Sequence, residues 1–177
     1  GIYRTSNRTI QFFGQYSAMQ QSANGLFGLD VIARIEGTEN FGASTPDGSS
    51  TSYSPALGVT LSREMGTHGA LYFEPIWVNN SNMLPSELAD DNDTFLFGIG
   101  GRLRIRPTVY IVGEFIPRVG YTPGVTYGSF GIEKRAGGHV FQLNFSNGIG
   151  TTMAQLAQGG TDSQDWYIGF NISRKFF

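Results

Sequence analysis

Hydrophobic residues fall at every second position along most of this 177-residue chain. Alternation of that period puts successive side chains on opposite faces of an extended strand, whereas an amphipathic helix repeats every three to four residues. The pattern predicts an all-β chain of ten strands, at about 1–6, 9–19, 28–37, 54–64, 70–78, 94–105, 108–117, 127–136, 139–147 and 165–177. A helical pattern occurs only over 151–158, where Gly159 would end it. In 28–37, Leu29, Val31, Ala33 and Ile35 share one face, and Asp30, Ile32, Arg34 and Glu36 the other. The strand at 54–64 sets Leu57, Val59 and Leu61 against Gly58, Thr60, Ser62 and Glu64. The strand at 94–105 sets Phe95, Phe97, Ile99, Leu103 and Ile105 against Thr94, Gly98, Arg102 and Arg104. The last sets Trp166, Ile168, Phe170 and Ile172 against Tyr167, Gly169, Asn171, Ser173 and Lys175.

The connections alternate in length. Those at 38–53, 79–93, 118–126 and 148–164 are long and polar, and those at 65–69, 106–107 and 137–138 are tight. Outer-membrane barrels of bacteria have short periplasmic turns and long outer loops, which produces this alternation. The connection at 7–8 is shorter than that scheme asks, and 20–27 is intermediate. With ten strands both termini fall on the periplasmic side. The Gly137-Gly138 pair signals a two-residue turn with positive φ at both positions. Pairing Ala136 with His139 then places Lys134 opposite Phe141, Ile132 opposite Leu143 and Phe130 opposite Phe145, with Arg135, Glu133 and Gly131 opposite Val140, Gln142 and Asn144.

A soluble sandwich also buries one face of each strand, so alternation alone does not separate it from a membrane barrel. The composition of the second face does. Asp30, Arg34, Glu36, Glu64, Glu74, Arg102, Arg104, Glu114, Glu133, Arg135 and Lys175 share it, and most large aromatics lie opposite. The expectation is a transmembrane antiparallel barrel with apolar side chains toward lipid and this charged set as a lumen network. Tyr53, Trp77, Tyr127 and Trp166 are expected in an aromatic girdle at the outer rim, with Phe176 and Phe177 at the inner one.

Composition narrows the picture further. Glycine supplies 25 residues, aromatics make up 14% and charged residues only 15%, a sheet-and-turn composition for one domain over 1–177. A formal charge of −2 gives no reason to expect nucleic acid as a partner. No cysteine is present, which excludes disulfides, thiolate metal sites and cysteine nucleophiles. No apolar run approaches a membrane helix, so a spanning chain would cross with strands. Gly1 opens directly into strand-like sequence without signal-peptide features, and upstream strands are a further expectation.

Three stretches resemble a known family. They are Phe130-Gly131-Ile132-Glu133-Lys134-Arg135-Ala136-Gly137-Gly138-His139-Val140-Phe141-Gln142-Leu143-Asn144-Phe145-Ser146-Asn147, Trp166-Tyr167-Ile168-Gly169-Phe170-Asn171-Ile172-Ser173-Arg174, and Tyr3-Arg4-Thr5-Ser6-Asn7. They resemble an uncharacterised family of bacterial outer-membrane β-barrel proteins, a domain of unknown function, over its C-terminal two thirds. The resemblance implies fold and compartment, transfers no site residue, and makes twelve strands the alternative to ten.

Candidate chemistry is sparse. His68 and His139 sit in turns and read as solvated rather than as metal ligands. Glu74, Glu114 and Glu133 could form an acid/base pair, but salt bridges to Arg102, Arg104 and Arg135 are the simpler expectation, with Glu114 neutralising Arg102 across the hairpin. The run Arg102-Leu103-Arg104-Ile105-Arg106 would put three guanidinium groups on one face. Asp90, Asp91, Asn92 and Asp93 carry oxygen donors of the kind calcium prefers but lack EF-hand spacing, so loop charge is expected. No catalytic motif, cofactor or metal site is expected. The leading function is a non-enzymatic outer-membrane barrel, either a structural subunit of an envelope assembly or a narrow, porin-like pore with a salt-bridged lumen. Its partners would be the lipid bilayer and other outer-membrane or periplasmic proteins. A barrel enzyme at the outer leaflet and a soluble ligand-binding barrel are the alternatives.

Overall fold

A computed structural model describes residues 1–5, 9–22, 25–37, 53–81, 93–120 and 124–174. Its strands are β1 (Ile2–Arg4), β2 (Ile10–Met19), β3 (Gly28–Gly37), β4 (Tyr53–Glu64), β5 (Gly69–Asn79), β6 (Asp93–Arg106), β7 (Val109–Ile116), β8 (Arg118–Val119), β9 (Tyr127–Ala136), β10 (His139–Ser146) and β11 (Tyr167–Arg174). All form one antiparallel sheet in chain order, with β8 extending the β7 edge along β6. Pro117 separates those two pieces because it has no N–H to donate, yet its carbonyl accepts from Phe97 N–H at 2.9 Å and the ribbon continues. The eleven strands therefore occupy ten ribbons. Among the described residues the sheet is open, with β1 and β11 each paired on one side only.

The hairpin at Gly137-Gly138 has the expected register, Ala136 opposite His139 and Phe130 opposite Phe145. Its two glycines take φ of 56° and 81°, the left-handed values that such a turn needs at both positions. The β4–β5 ladder is interrupted where Pro75 lies opposite Val59, and it resumes in frame with Leu61 opposite Phe73. Thr60 then bonds across with its side chain, Oγ1 donating to Glu74 at 3.0 Å.

One sheet face is exposed and apolar. Leu57, Phe73, Phe95, Ile99, Phe115, Ile132 and Phe170 all lie on it, and Ile99 sits in mid-ladder between Phe73 and Phe115. The other face curls around α1 (Met153–Ala157), a short helix in the β10–β11 connection. Ala56, Ile76, Val78, Leu96, Ile116 and Tyr127 pack there with Met153, Ala154 and Ala157. The inner face is thus mostly apolar toward the long connections, where Glu36 and Arg118 are the charged residues, and charged toward the tight turns.

Two expectations need correction. Tyr127 is 9% exposed and belongs to the inner cluster, not to an outward girdle. It shares parity with Gly131 and Glu133, and its partner Ile116 is buried as well. Arg106 leaves the face of Arg102 and Arg104, because a bulge between Arg104 and Arg106 pairs it with Val109 on the outer face. Phe176, Phe177 and Lys175 lie outside the described residues.

If the exposed face meets hydrocarbon, Ile99→Arg should lower stability by roughly 2–4 kcal/mol in reversible unfolding from lipid vesicles. A cost within about 0.5 kcal/mol, as for an ordinary water-facing substitution, would show that this face is wet.

Candidate functional site: an interior plugged at one end

The helix α1 is fixed from both ends. Thr152 is its N-cap, with its hydroxyl oxygen accepting from Gln155 N–H at 3.4 Å while Gln155 Oε1 accepts from Thr152 N–H at 3.3 Å. This reciprocal pair is a capping box. Behind the helix, Gly159 takes a φ of 82°, and a Cβ there would lie 2.3 Å from the Val125 carbonyl, so glycine is required.

Glu36 holds the plug to the wall. Its carboxylate accepts from the Thr152 hydroxyl at 2.7 Å and from Gln11 Nε2 at 2.6 Å, and the Ala154 N–H adds a third donor. Glu36 and Gln11 are each 2% exposed, and a buried carboxylate is tolerable only with such a set of donors. On the far side Arg118 Nη1 donates to the Ala157 carbonyl at 3.1 Å, where the helix leaves its last acceptors open. Gln158 Nε2 reaches the Ser81 carbonyl at 3.2 Å. The base of the connection is stitched by Asn147, which accepts from Gly128 N–H and donates to the Thr126 carbonyl, and by a bridge between Val125 and Gly160. Tyr3 and Thr151 hydroxyls meet at 3.1 Å beside it.

The remaining inner-face charges lie in the middle of the sheet and toward the tight turns. Glu133 pairs with Arg135 at 2.9 Å and with Arg102 at 3.6 Å. Both guanidinium groups lie near the Tyr110 ring, 4.7 Å from its centroid for Arg102 and 4.9 Å for Arg135, within cation–π range. Glu114, expected to neutralise Arg102, instead lies near Tyr72 and Glu74, whose ladder places are around Gly98 and Gly100. Asp30 accepts from Ser17 at 2.5 Å. Arg34 lies 5.9 Å from the Phe13 ring, within electrostatic reach of Glu74 and Glu36. Arg104 donates to the Thr67 carbonyl at 3.4 Å, and Glu64 is exposed at the turn end.

Of the girdle residues, Tyr53 and Trp166 are exposed, at 63% and 49%, and Trp77 is half-buried on the same outer face. Trp166 packs against Phe130 at 5.4 Å, and Phe130 stacks on Phe145 at 5.3 Å. His68 lies in the β4–β5 turn, and His139 opens β10 after the Gly137-Gly138 turn. Of the acidic loop only Asp93 is described, and it accepts from Asn79 at 2.5 Å. Sequence reasoning missed Gln11, Thr152, Arg118 and Asn147. The Thr152-x-x-Gln155 spacing of a capping box was the local signal that could have found Thr152. Nothing local linked Glu36 to a residue 116 positions later.

Glu36→Ala leaves buried donors without an acceptor, at roughly 1–3 kcal/mol each. It should therefore destabilise the protein and speed hydrogen exchange at Leu156 and Gln158, with the β9–β10 ladder unaffected. Equal acceleration in ladder and helix would show that Glu36 supports the wall as a whole rather than the plug.

No curated protein matches the chain. A family model described as Membrane bound beta barrel domain (DUF5777) matches residues 1–176. That span includes every described strand, and the exposed apolar face is what such a domain presents to lipid. The chain belongs to this family of membrane-bound β-barrel domains.

Proposed function

We propose that this protein is a non-enzymatic β-barrel of the bacterial outer membrane, a structural subunit of an envelope assembly whose interior is occluded rather than open. The observation that carries this reading is α1, seated inside the curled sheet with Ala154 and Ala157 at most 2% exposed. A barrel of eight to ten strands is largely filled by its own side chains, and here a helix adds to that filling. The Glu133–Arg102–Arg135 cluster lines the inner face of β6 and β9 toward the tight turns. The outer-membrane assignment rests on the alternation of long and tight connections, which puts the turns at 65–68, 107–108 and 137–138 on one side and the plug-bearing connection on the other.

In planar bilayers the protein should show little steady conductance. Large, stable conductance steps would overturn the occluded reading. Orientation is tested separately by single cysteines labelled in intact cells. Ser163→Cys, in the plug-bearing connection, should react with an impermeant maleimide, and Gly138→Cys should react only after the outer membrane is permeabilised. Equal labelling of both in intact cells would refute this orientation.

A further inference from the structure

The charges on the strands sort by face. Asp30, Glu36, Glu74, Glu114 and Glu133 all share the inner face with Thr60, Gly98 and Gly131. On the outer face toward the tight turns, the charged strand residues are Arg63, Arg106, Lys134 and Arg174, all exposed. Their ladder partners fix that placement. Arg63 lies opposite Leu71, itself 54% exposed. Arg106 and Lys134 both lie opposite Val109, in a row that continues through Phe141 to Ile172, 59% exposed. Arg174 lies opposite His139, two positions beyond Ile172 on the same face.

Each cation follows the apolar belt directly, with Leu61, Ile105, Ile132 and Ile172 one or two residues before it. That is the depth of lipid head groups, which long cationic side chains reach by laying their stems along apolar surface. Among the described residues no carboxylate shares this outer rim. Glu64 pairs with Ala70 on the inner side, and Glu133 is engaged by Arg102 and Arg135. The bulge is informative, because without it Arg106 would keep the inward parity of Arg102 and Arg104. At the other end of the outer face the strand charges are Arg4 and Asp93, one of each sign, so the excess is confined to the turn end.

We propose that Arg63, Arg106, Lys134 and Arg174 form a collar that binds the phosphodiester head groups of anionic phospholipids in the leaflet at the turn end. Zwitterionic lipids such as phosphatidylcholine offer the same phosphate beside a quaternary ammonium group, which a cationic collar does not attract. The proposal rests on the membrane-bound family, not on the occluded interior.

The test is native mass spectrometry of the detergent-solubilised protein, titrated with phosphatidylglycerol and phosphatidylcholine of matched chains. Wild type should retain phosphatidylglycerol selectively, and the selectivity should weaken as salt is raised. Each cation neutralised to glutamine should lower it by about fivefold, and the variant with all four replaced should approach parity. Arg4→Gln, at the opposite rim, should leave it unchanged. If the fourfold variant does not insert, Arg63→Gln and Lys134→Gln singly give the same reading. Wild-type selectivity in these variants overturns the collar, and so does an equal loss in Arg4→Gln. Retention of both lipids without preference overturns the collar alone, whereas retention of neither overturns the membrane reading with it.

Discussion

In hydrocarbon no water is available to satisfy a backbone N–H or C=O, so a spanning chain must pair those groups internally. Between neighbouring strands the ten-ribbon meander meets that demand, the outer edges of β1 and β11 being paired on one side only among the described residues, and two interruptions inside the sheet are handled locally. At Pro117 the carbonyl still accepts from Phe97 although the N–H is missing, and beside Pro75 the Thr60 side chain bonds Glu74 where the backbone ladder lapses. Once pairing dictates extended strands, period 2 follows, and with it the division into a face for lipid and a face for the interior. The exposed aromatics and aliphatics on the first face and the glutamates on the second are consequences of that division.

An inner face enclosed by lipid-facing walls must then be filled. At the turn end, arginine and glutamate side chains line the inner face of β6 and β9, with the Tyr110 ring of β7 against both guanidinium groups. At the loop end the walls are apolar, with Val78 and Leu96 at most 1% exposed, and they need an apolar partner from inside. Met153, Ala154 and Ala157 supply it, but only because the polar ends of a five-residue helix are satisfied. An isolated helix of that length has no stability of its own. Its capping box, the Glu36 carboxylate at its start and the Arg118 guanidinium at its end make it a usable plug.

Strands, faces and the Gly137-Gly138 register were legible in the sequence because each depends on neighbours within about a dozen residues. The helix over 151–158 was legible as well, since its spacing and the Gly159 that ends it are local. Its location inside the sheet was not, because that depends on contacts such as Glu36 with Thr152, far apart along the chain. Tyr127 was misread for a different reason. An aromatic at a strand end fits a lipid-facing girdle by composition, but its parity with Glu133 sends it inward. Parity failed in turn at Arg106, where one bulged residue moves everything beyond it to the other face. Alternation is therefore reliable only within an unbroken ladder.

The exchange of Glu114 for Glu133 as the partner of Arg102 shows what the hairpin view leaves out. Within the β6–β7 hairpin, Glu114 opposite Gly100 is the diagonal neighbour of Arg102, so pairwise reasoning selects it. In the sheet β7 has β9 on its other side, and Arg102, Val112 and Gly131 form one row. Gly131 has no side chain to block the way, and Tyr110 offers a ring for the guanidinium to lie against, so Arg102 reaches past β7 to Glu133. Curvature shortens that path further, because inward side chains converge while outward ones diverge. Charge complementarity in such an interior is thus set two strands apart, by the length of arginine and by the side chains that the intervening strand offers it. Glu114 is left in the middle of the barrel beside Tyr72 and Glu74, away from the guanidinium pair at the turn end.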